Sequence, residues 1–418
     1  MYDHLIESIK RDALPLRDAE DYDPLFDRIQ KEKFVLLGES SHGTSEYYKI
    51  RSELSKRLIK EKGFQFIAVE GDWPACQQVN RYIKGYDSTY QHARQALATY
   101  SRWPTWMWAN AELIELIEWL KSYNEKLPEQ DKVGFYGIDV YSLWESMEET
   151  LHELERINSP VLETAKKAFA CFEPFHRDPQ AYGVSSEDCK EEVIKLLTEI
   201  STDKNNRSSN YEESQLNLDV NALITANAEN YYRTMVTNDN ESWNIRDEHM
   251  VEVIHKISGF YGDKAKGIIW AHNTHVGDAR ATDMADEGLI NIGQVLREQE
   301  GENNIVLVGF GTHQGTVIAA DEWGVNFETM ITPPAQERSW EHYLHQAGTE
   351  DKLLLFHDKN RTNYLDKIGH RAIGVVYNPE YEQFGNYVPT EIGKRYDAFI
   401  YIDHTNALEP LNVNQIFI

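Results

Sequence analysis

The sequence predicts an α/β fold with a mostly parallel central sheet flanked by helices. Short apolar runs recur along the chain, and several of them are rich in valine and isoleucine. Stretches with helical periodicity separate these runs, and both faces of each run are apolar, which is typical of buried parallel strands. The predicted strands are residues 34–37, 66–69, 133–138, 267–270, 305–310, 353–356, 372–377 and 398–402.

The spacing of these runs also divides the chain into segments. Residues 142–245 are charged and helical in period, with no strand-like run, so we expect a helical insertion there. Residues 313–371 mix both patterns and predict a small α+β subdomain. Within the insertion, the polar stretch 201–214 is expected to be a mobile loop. The α/β core is predicted to consist of residues 1–141, 246–312 and 372–418.

The charge balance argues against two classes of partner. The chain has 42 lysines and arginines against 69 aspartates and glutamates, which gives a net charge of −27. A protein this negative disfavours phosphate backbones and anionic membranes. No apolar run approaches the ~18 residues that a membrane-spanning helix needs. We therefore expect no nucleic-acid partner and no membrane partner.

The cysteines and the first residues bear on the cellular compartment. Cys76, Cys171 and Cys189 are too few and too scattered to predict a disulfide framework or a zinc site. We expect them to be small, buried apolar residues. The opening stretch MYDHLIESIKRD lacks a basic segment followed by an apolar one, so no signal peptide is predicted. The expected location is the cytoplasm.

Reactive side chains are concentrated directly after the first predicted strand. The turn 38–43 carries a glutamate, two serines and a histidine between two glycines. The residues that follow predict a helix with Thr44 or Ser45 as its N-cap and Gly63 at its C-terminal end. Open α/β sheets bind ligands in the crevice between such strand ends and helix starts.

Four polar clusters follow predicted strands. The C-terminal ends of parallel strands lie along one edge of a sheet, so we expect these clusters to converge. No single cluster is persuasive alone, but four acidic or histidine-bearing strand ends indicate a site. The clusters are Glu39 to His42, Glu70 with Asp72, Asp139, and His272 with His275 and Asp278.

His42 is the candidate general base. Glu39 lies three residues before it, and Glu70 ends the next predicted strand. A carboxylate bonded to one imidazole nitrogen fixes the tautomer and leaves the other nitrogen to take a proton from water. Either glutamate is therefore a candidate for orienting His42.

A serine nucleophile is the alternative at this turn. The nucleophile elbow of α/β-hydrolases has the pattern G-x-S-x-G. In this sequence the second glycine, Gly43, comes one residue later than that pattern requires. Ser40 and Ser41 are therefore expected to shape the turn or to cap the following helix.

His272 and His275 have H-x-x-H spacing at a strand end, and two roles stay open for them. Together with His42 and the glutamates they supply enough ligands for a divalent metal. Without a metal they would act as an acid and an oxyanion stabiliser. Arg51, about two turns into the helix, either reaches back to a carboxylate or lies at the surface.

Four further residues are candidates for substrate contacts. The stretch 101–110 contains Trp103 and Trp106, which would form an apolar wall if they do not belong to a core. His313 lies in the predicted turn 309–317 after another strand, and Asp139 ends the third predicted strand.

Several motifs, in order along the chain, resemble the erythromycin esterase family. The resemblance extends from about residue 30 to residue 405 and rests on LLGESSHGTSEYY, EGDWP, RWPTWMW, SWNIRDEHM, WAHNTHVGDARATDM and LVGFGTHQGTV. The motifs SSHGTSEYY and EGDWP resemble the sequences of a broad bacterial branch of the family. Members of that branch have been labelled with succinoglycan biosynthesis. Both motifs are less similar to those of the dedicated resistance enzymes.

The resemblance implies an α/β core with a helical insertion and a smaller α/β piece. It also implies hydrolysis of the macrolactone ester of erythromycin-type antibiotics. The general base of the family falls on His42, and its other essential positions fall on Glu39, Arg51, Glu70, His272 and His275.

We therefore predict a hydrolase that cleaves a small-molecule carboxylic ester or lactone with water activated by His42. No cofactor is predicted. Two alternatives stay open: a metal-dependent hydrolase that uses the same histidines and glutamates as ligands, and a binding protein that keeps the crevice without turnover.

Overall fold

The structure is a computed structural model that describes residues 3–86, 88–185, 188–202 and 213–412. The chain forms two compact units, each built from several stretches of sequence. The first unit contains Met1–Ile67, His92–Trp119 and Lys266–Phe417, and the second contains Ala68–Gln91, Leu120–Ala265 and Ile418. The division into core, insertion and subdomain stays a prediction.

The predicted α/β class is confirmed, with a mostly parallel mixed sheet and flanking helices. Over the described residues the strands are β1 (Leu14–Pro15), β2 (Phe34–Leu37), β3 (Phe66–Asp72), β4 (Gly134–Asp139), β5 (Gly267–Trp270), β6 (Ile305–Ala319), β7 (Glu328–Thr332), β8 (Lys352–Leu355), β9 (Lys367–Arg371), β10 (Tyr387–Glu391) and β11 (Ala398–Thr405).

The α-helices in the same parts of the chain are α1 (Asp3–Asp12), α2 (Asp23–Arg28), α3 (Ser45–Lys62), α4 (Trp73–Lys84), α5 (Ala93–Leu97), α6 (Glu112–Asn124), α7 (Leu143–Arg156), α8 (Leu162–Ala170), α9 (Pro179–Gly183), α10 (Lys190–Thr202), α11 (Ser214–Met235), α12 (Asp239–Tyr261), α13 (Asn273–Val276), α14 (Ile292–Glu300), α15 (Trp340–Gln346), α16 (Glu382–Gly385) and α17 (Ile392–Arg395). None of these described helices combines the length and the apolar character needed to cross a bilayer.

Parallel strands set the position of the site in the first unit. The strands lie in the order β1-β8-β11-β6-β2-β5, and β7 pairs with β6. Strand β2 is parallel to β5 and to β6, and its last residue, Leu37, is in register with Trp270 and Val308. Because β2 and β5 end side by side, the residues that follow them meet at the same edge of the sheet.

The predicted strand 305–310 corresponds to β6, and its predicted end at residue 310 is wrong. Strand β6 continues to Ala319, so residues 309–317, predicted as a turn, are strand. The extension pairs with β11 and with β7, and Gly315 makes this pairing possible. A Cβ at Gly315 would meet the backbone of Thr405, and the φ angle of +150° disfavours other residues.

The predicted strand at residues 372–377 is also wrong. These residues make only isolated bridges, to the backbones of Ser41 and Ala320. The Ile373 N–H donates to the Ser40 carbonyl over 2.7 Å. The segment is apolar because it covers the turn after β2, where Ile373 and Tyr377 are buried in a cluster with Val317, Ala319 and Met330.

In the second unit β3 lies beside β4, and helices α7 to α11 contribute to an apolar core. The helical character predicted for residues 142–245 is confirmed for the part of this segment that the structure describes. The loop predicted at residues 201–214 lies mostly outside the described residues.

A buried ion pair joins four elements of the second unit. Lys84 on α4 pairs with Glu213 just before α11, and both side chains are buried. The hydroxyls of Tyr136 on β4 and Tyr261 on α12 lie 3.1 and 2.9 Å from the Lys84 Nζ. Asn80 Nδ2 donates to Glu213 over 2.6 Å. Burial lowers the pKa of Lys84, and the Glu213 carboxylate opposes that effect. Two buried charges are tolerated because each has several partners.

The expectation that all three cysteines are small, buried apolar residues is wrong for two of them. Cys171 and Cys189 form a disulfide across a separation of 18 residues, whereas Cys76 is buried and is not part of a disulfide. The spacing in the sequence does not reveal this pairing, because it depends on how α8 and α10 pack together.

His249 on α12 is a buried titratable group of the second unit. The Asn227 Nδ2 donates to its Nδ1 over 3.0 Å. The side chain is 1% exposed, and burial lowers its pKa from 6.5 to about 4. The folded protein therefore keeps His249 neutral at pH values where the unfolded chain binds a proton.

We predict that the free energy of unfolding falls as the pH is lowered from 6.5 to about 4, and that His249 contributes to this fall. Its contribution is fully present above pH 6.5 and amounts to about 3 kcal/mol over the window. Urea unfolding of His249→Gln at several pH values measures it, with the exposed His176→Gln as the control. If the pH dependence of the free energy of unfolding is the same in His249→Gln as in the wild type, His249 has the same pKa in the folded and unfolded states and the prediction is wrong.

Candidate functional site

The turn between β2 and α3 is buried and held by its own side chains. The Ser40 hydroxyl lies 2.7 Å from the Tyr47 hydroxyl, and the Ser41 hydroxyl is hydrogen-bonded to that of Thr44, the N-cap residue of α3. Both serines are almost fully buried, at 0% and 2% exposure. Their hydroxyls therefore fix the turn, as the sequence suggested.

Gly43 is required because the turn lies against β6. A Cβ at this position would lie 2.0 Å from the Ile318 carbonyl oxygen. The Gly43 carbonyl in turn accepts from the Ile318 N–H over 3.0 Å and from the Leu408 N–H over 3.1 Å. These bonds leave the preceding residue, His42, with a well-defined backbone position.

Glu39 lies between a histidine and an arginine. Its Oε1 is 2.9 Å from the His42 Nδ1, and its Oε2 accepts from the Arg51 Nη2 over 2.5 Å. The exposed fractions are 1% for Glu39, 7% for His42 and 0% for Arg51. Both oxygens of the carboxylate are thus occupied by hydrogen-bond partners.

Arg51 reaches back from the second turn of α3, which resolves the choice that the sequence left open. Its guanidinium carbon lies 4.6 Å from the ring centroid of Tyr48 and 4.7 Å from that of Trp270. Within the described residues, its Nε and Nη1 have no hydrogen-bond partner. The carboxylate of Glu39 is therefore the main compensation for a fully buried positive charge.

One of the two histidines after β5 lies close to His42. The ring centroids of His42 and His272 are 4.9 Å apart. His272 is the N-cap of α13, and its Nδ1 accepts from the Thr274 N–H over 3.3 Å. His275 lies within the same short helix and is 2% exposed.

The hydrogen bonds assign complementary tautomers to the two facing imidazoles. The Nδ1 of His42 faces a carboxylate, so it carries the proton and leaves Nε2 as a base. The Nδ1 of His272 lies 2.8 Å from the Thr274 hydroxyl and 3.3 Å from the Thr274 backbone N–H. Because the N–H can only donate, we infer that Nδ1 accepts and that in the neutral ring the proton is on Nε2. One ring is therefore prepared to accept a proton and the other to donate a hydrogen bond.

Glu70 and Asp139, two of the predicted site residues, lie together in the second unit. Arg246 on α12 joins them: its Nη2 lies 2.7 Å from Glu70 Oε1 and 2.7 Å from Asp139 Oδ2. Its guanidinium carbon is 4.8 Å from the ring centroid of Tyr141. The carboxylates raise the pKa of Arg246 against the effect of burial. Arg246 was not among the predicted site residues, although the motif SWNIRDEHM contains it.

The residues proposed for substrate contacts have mixed environments. Trp106 is fully buried, while Trp103 donates from Nε1 to the Val325 carbonyl over 2.8 Å. The ring of Trp103 lies 4.6 Å from that of Trp323, which is 61% exposed and was not predicted. His313 stacks on His345 at 3.7 Å, and burial lowers its pKa to about 4. Contact of any of these residues with a substrate stays a prediction.

The metal-dependent alternative requires a cluster of side chains that can bind a divalent metal. Within the described parts of the chain, no group of three or more histidine, cysteine, aspartate or glutamate side chains is arranged to hold a metal ion.

Comparison with known proteins places the chain in a family. The family model described as erythromycin esterase matches residues 59–405. The chain belongs to the erythromycin esterase family. Family membership indicates a hydrolase.

Individual proteins and solved structures are similar to the chain over nearly its whole length. The chain is 21% identical over 430 residues to a protein named "Putative hydrolase YbfO" of Bacillus subtilis (strain 168), with 96% of this chain and 91% of that protein covered. A crystal structure described as a succinoglycan biosynthesis protein has a TM-score of 0.78 at 21% identity and 98% coverage of both chains. A mutant of the erythromycin esterase EreC in its open conformation has a TM-score of 0.69 at 16% identity, covering 99% of this chain and 98% of that one.

We predict that Arg51→Met destabilises the protein by about 3–5 kcal/mol, because it leaves the Glu39 charge buried without its partner. Arg57→Met on the same helix is the control. Arg57 is partly exposed and pairs with Asp23 and Glu61, so its loss should cost about 1 kcal/mol or less. Urea unfolding measures both values.

The double variant Arg51→Met/Glu39→Gln should lose less stability than the two single variants added together, because the uncompensated charge is gone. Strict additivity would contradict the coupling between Arg51 and Glu39.

Proposed function

We propose that the protein hydrolyses a small-molecule carboxylic ester or lactone with a water molecule activated by His42. The observation that carries the proposal is the pair of facing imidazoles, His42 and His272, whose hydrogen bonds give them opposite proton positions. Groups whose environments separate their protonation states are typical of acid–base catalysis.

The reaction begins with water next to His42. The Nε2 of His42 takes a proton from the water as the oxygen attacks the carbonyl carbon of the ester. The carbonyl oxygen becomes an oxyanion in the tetrahedral intermediate. When this intermediate collapses, the bond to the leaving oxygen breaks, and the imidazolium returns its proton to the leaving alcohol. The products are a carboxylic acid and an alcohol, joined in one molecule if the substrate is a lactone.

Glu39 and Arg51 support the base in this scheme. The Glu39 carboxylate holds the Nδ1–H of His42 and stabilises the imidazolium that forms during the reaction. Arg51 keeps that carboxylate fixed, since it bonds the second oxygen. The buried position of the pair strengthens both interactions because little water screens them.

The other histidines are assigned to the developing negative charge. The Nε2–H of His272 is a suitable donor to the oxyanion, because its Nδ1 is occupied by the Thr274 N–H. His275, on the same short helix, is the second candidate for this role or for protonation of the leaving oxygen. A role for Glu70 in the reaction stays a prediction from the family resemblance.

The proposed substrate is a small-molecule ester or lactone, without a specific acyl or alcohol part. EreC is named an erythromycin esterase, and a macrolide is therefore the first substrate to test. The exposed ring of Trp323 beside Trp103 offers an apolar surface that would suit such a molecule. The chemistry in this scheme needs no cofactor, and a metal requirement is one outcome of the test below.

We predict that His42→Ala lowers kcat by about 10²–10⁴-fold, the usual effect of losing a general base. Ser40→Ala should keep activity within an order of magnitude, because that hydroxyl holds the turn rather than attacking the substrate. Mass spectrometry follows a panel of macrolides, simple lactones and aryl esters in ¹⁸O-labelled water, with and without a chelator.

Incorporation of one labelled oxygen into the acid product, lost in His42→Ala, supports the proposal. Retention of more than a tenth of wild-type kcat in a folded His42→Ala protein would refute the role of His42. Activity that disappears with the chelator and returns with a divalent metal would favour the metal-dependent alternative.

A further inference from the structure

Asn273, the first residue of α13, connects the ends of β2 and β5 to the middle of β6. Its backbone N–H donates to the Glu39 carbonyl over 2.8 Å, just after β2. Its Nδ2 donates to the Phe310 carbonyl on β6 over 2.6 Å, and its Oδ1 accepts from the Phe310 N–H over 3.2 Å. Gly38 leaves room for this amide, since a Cβ there would lie 2.1 Å from the Asn273 Oδ1.

The bonds to Phe310 fix which amide atom is which. The Phe310 N–H needs an acceptor, so that atom of Asn273 is the oxygen, and the atom facing the Phe310 carbonyl is the nitrogen. The same nitrogen lies 3.1 Å from the Nε2 of His370. Because the Asn273 Nδ2 only donates, His370 Nε2 must be an acceptor.

This assignment determines the state of His370 as well. With a lone pair on Nε2, the ring is neutral and carries its proton on Nδ1. That proton is donated to the Glu341 Oε1 over 2.5 Å. The same Glu341 oxygen accepts the Arg371 N–H over 3.0 Å. A relay of consistent direction thus runs from Asn273 through His370 to Glu341.

The relay is buried in the first unit. Asn273 and Glu341 are 0% exposed, and His370 is 1% exposed. The rings of Tyr396 and Phe399 lie 5.9 and 5.3 Å from the His370 ring. The charged groups that act on His370 are Glu341, Arg395 and Arg371.

We propose that His370 and Glu341 are positioning residues that hold Asn273, and through it the turn that carries Glu39 and His42. This inference rests on the proposed function, since it assigns the relay to the same ester-cleaving site. The relay ends on a residue that bonds the Glu39 backbone and lies between His272 and His275 in sequence. Replacing His370 would remove one of the three hydrogen bonds of the Asn273 amide and leave the two to the Phe310 backbone. Asn273 would then be held less firmly, and the two histidine-bearing segments would lose their alignment.

The state of the relay is tested by NMR, independently of any substrate. In the ¹⁵N-histidine-labelled protein at neutral pH, His370 should be a neutral ring with the proton on Nδ1. The signal is assigned by its absence in His370→Phe. A ring protonated on Nε2, or on both nitrogens, would overturn the relay.

Its positioning effect is tested in the same samples. The hydrogen-bonded Nδ1 proton of His42 should broaden or disappear in His370→Phe, because Asn273, whose backbone N–H bonds the Glu39 carbonyl, is held less firmly. It should persist in Phe399→Leu, which loosens the packing around His370 without removing a hydrogen bond. An unchanged His42 proton in His370→Phe would refute positioning, even if no ester substrate has been found.

Kinetics then separate positioning from packing. His370→Phe and Glu341→Leu should lower kcat by about 10–100-fold with little change in KM, as expected for small displacements of reacting groups. Glu341→Gln should restore most of the activity, because its amide oxygen still accepts from His370 and from the Arg371 N–H. Equal losses in Glu341→Gln and Phe399→Leu would show that the region is merely structural. Failure of wild-type protein to cleave any ester would refute the proposed function and leave the NMR result standing.

Discussion

The buried ion pair between Arg51 and Glu39 is the interaction on which the proposed site depends. A fully buried guanidinium and a buried carboxylate are costly unless each compensates the other. Arg51 bonds one oxygen of the Glu39 carboxylate, and the other oxygen bonds the His42 Nδ1. The ion pair therefore fixes the carboxylate that orients His42 and bonds its Nδ1.

The parallel sheet supplies the second half of the site. Because β2 and β5 run side by side in register, the short helix with His272 and His275 begins where the turn with His42 begins. The two imidazoles face each other with their protons on different nitrogens. The extended strand β6 and residues 372–377 then hold the turn through backbone hydrogen bonds to Ile318 and Ile373. A strand-end site thus acquires rigidity from segments distant in sequence.

Local sequence predicts the features that depend on neighbouring residues. Glu39 and His42 are three residues apart, and Arg51 is two helical turns further on, so their proximity follows from a strand, a turn and a helix. The extension of β6 is not predicted, because its polar residues are typical of a turn. Residues 372–377 are predicted as a strand because burial in a cluster requires the same apolar residues as a buried strand. Arg246, His370 and Glu341 act through contacts across 29 to 176 residues, which periodicity cannot reveal.

The most direct test of this account is the protonation of the two facing histidines. In ¹⁵N-histidine-labelled protein at neutral pH, with His42→Ala and His272→Ala used for assignment, the neutral forms of both rings are observed by their nitrogen shifts. The account predicts a proton on Nδ1 of His42 and on Nε2 of His272. The same tautomer in both rings, or a His42 with its proton on Nε2, would contradict the assignment of His42 as the base.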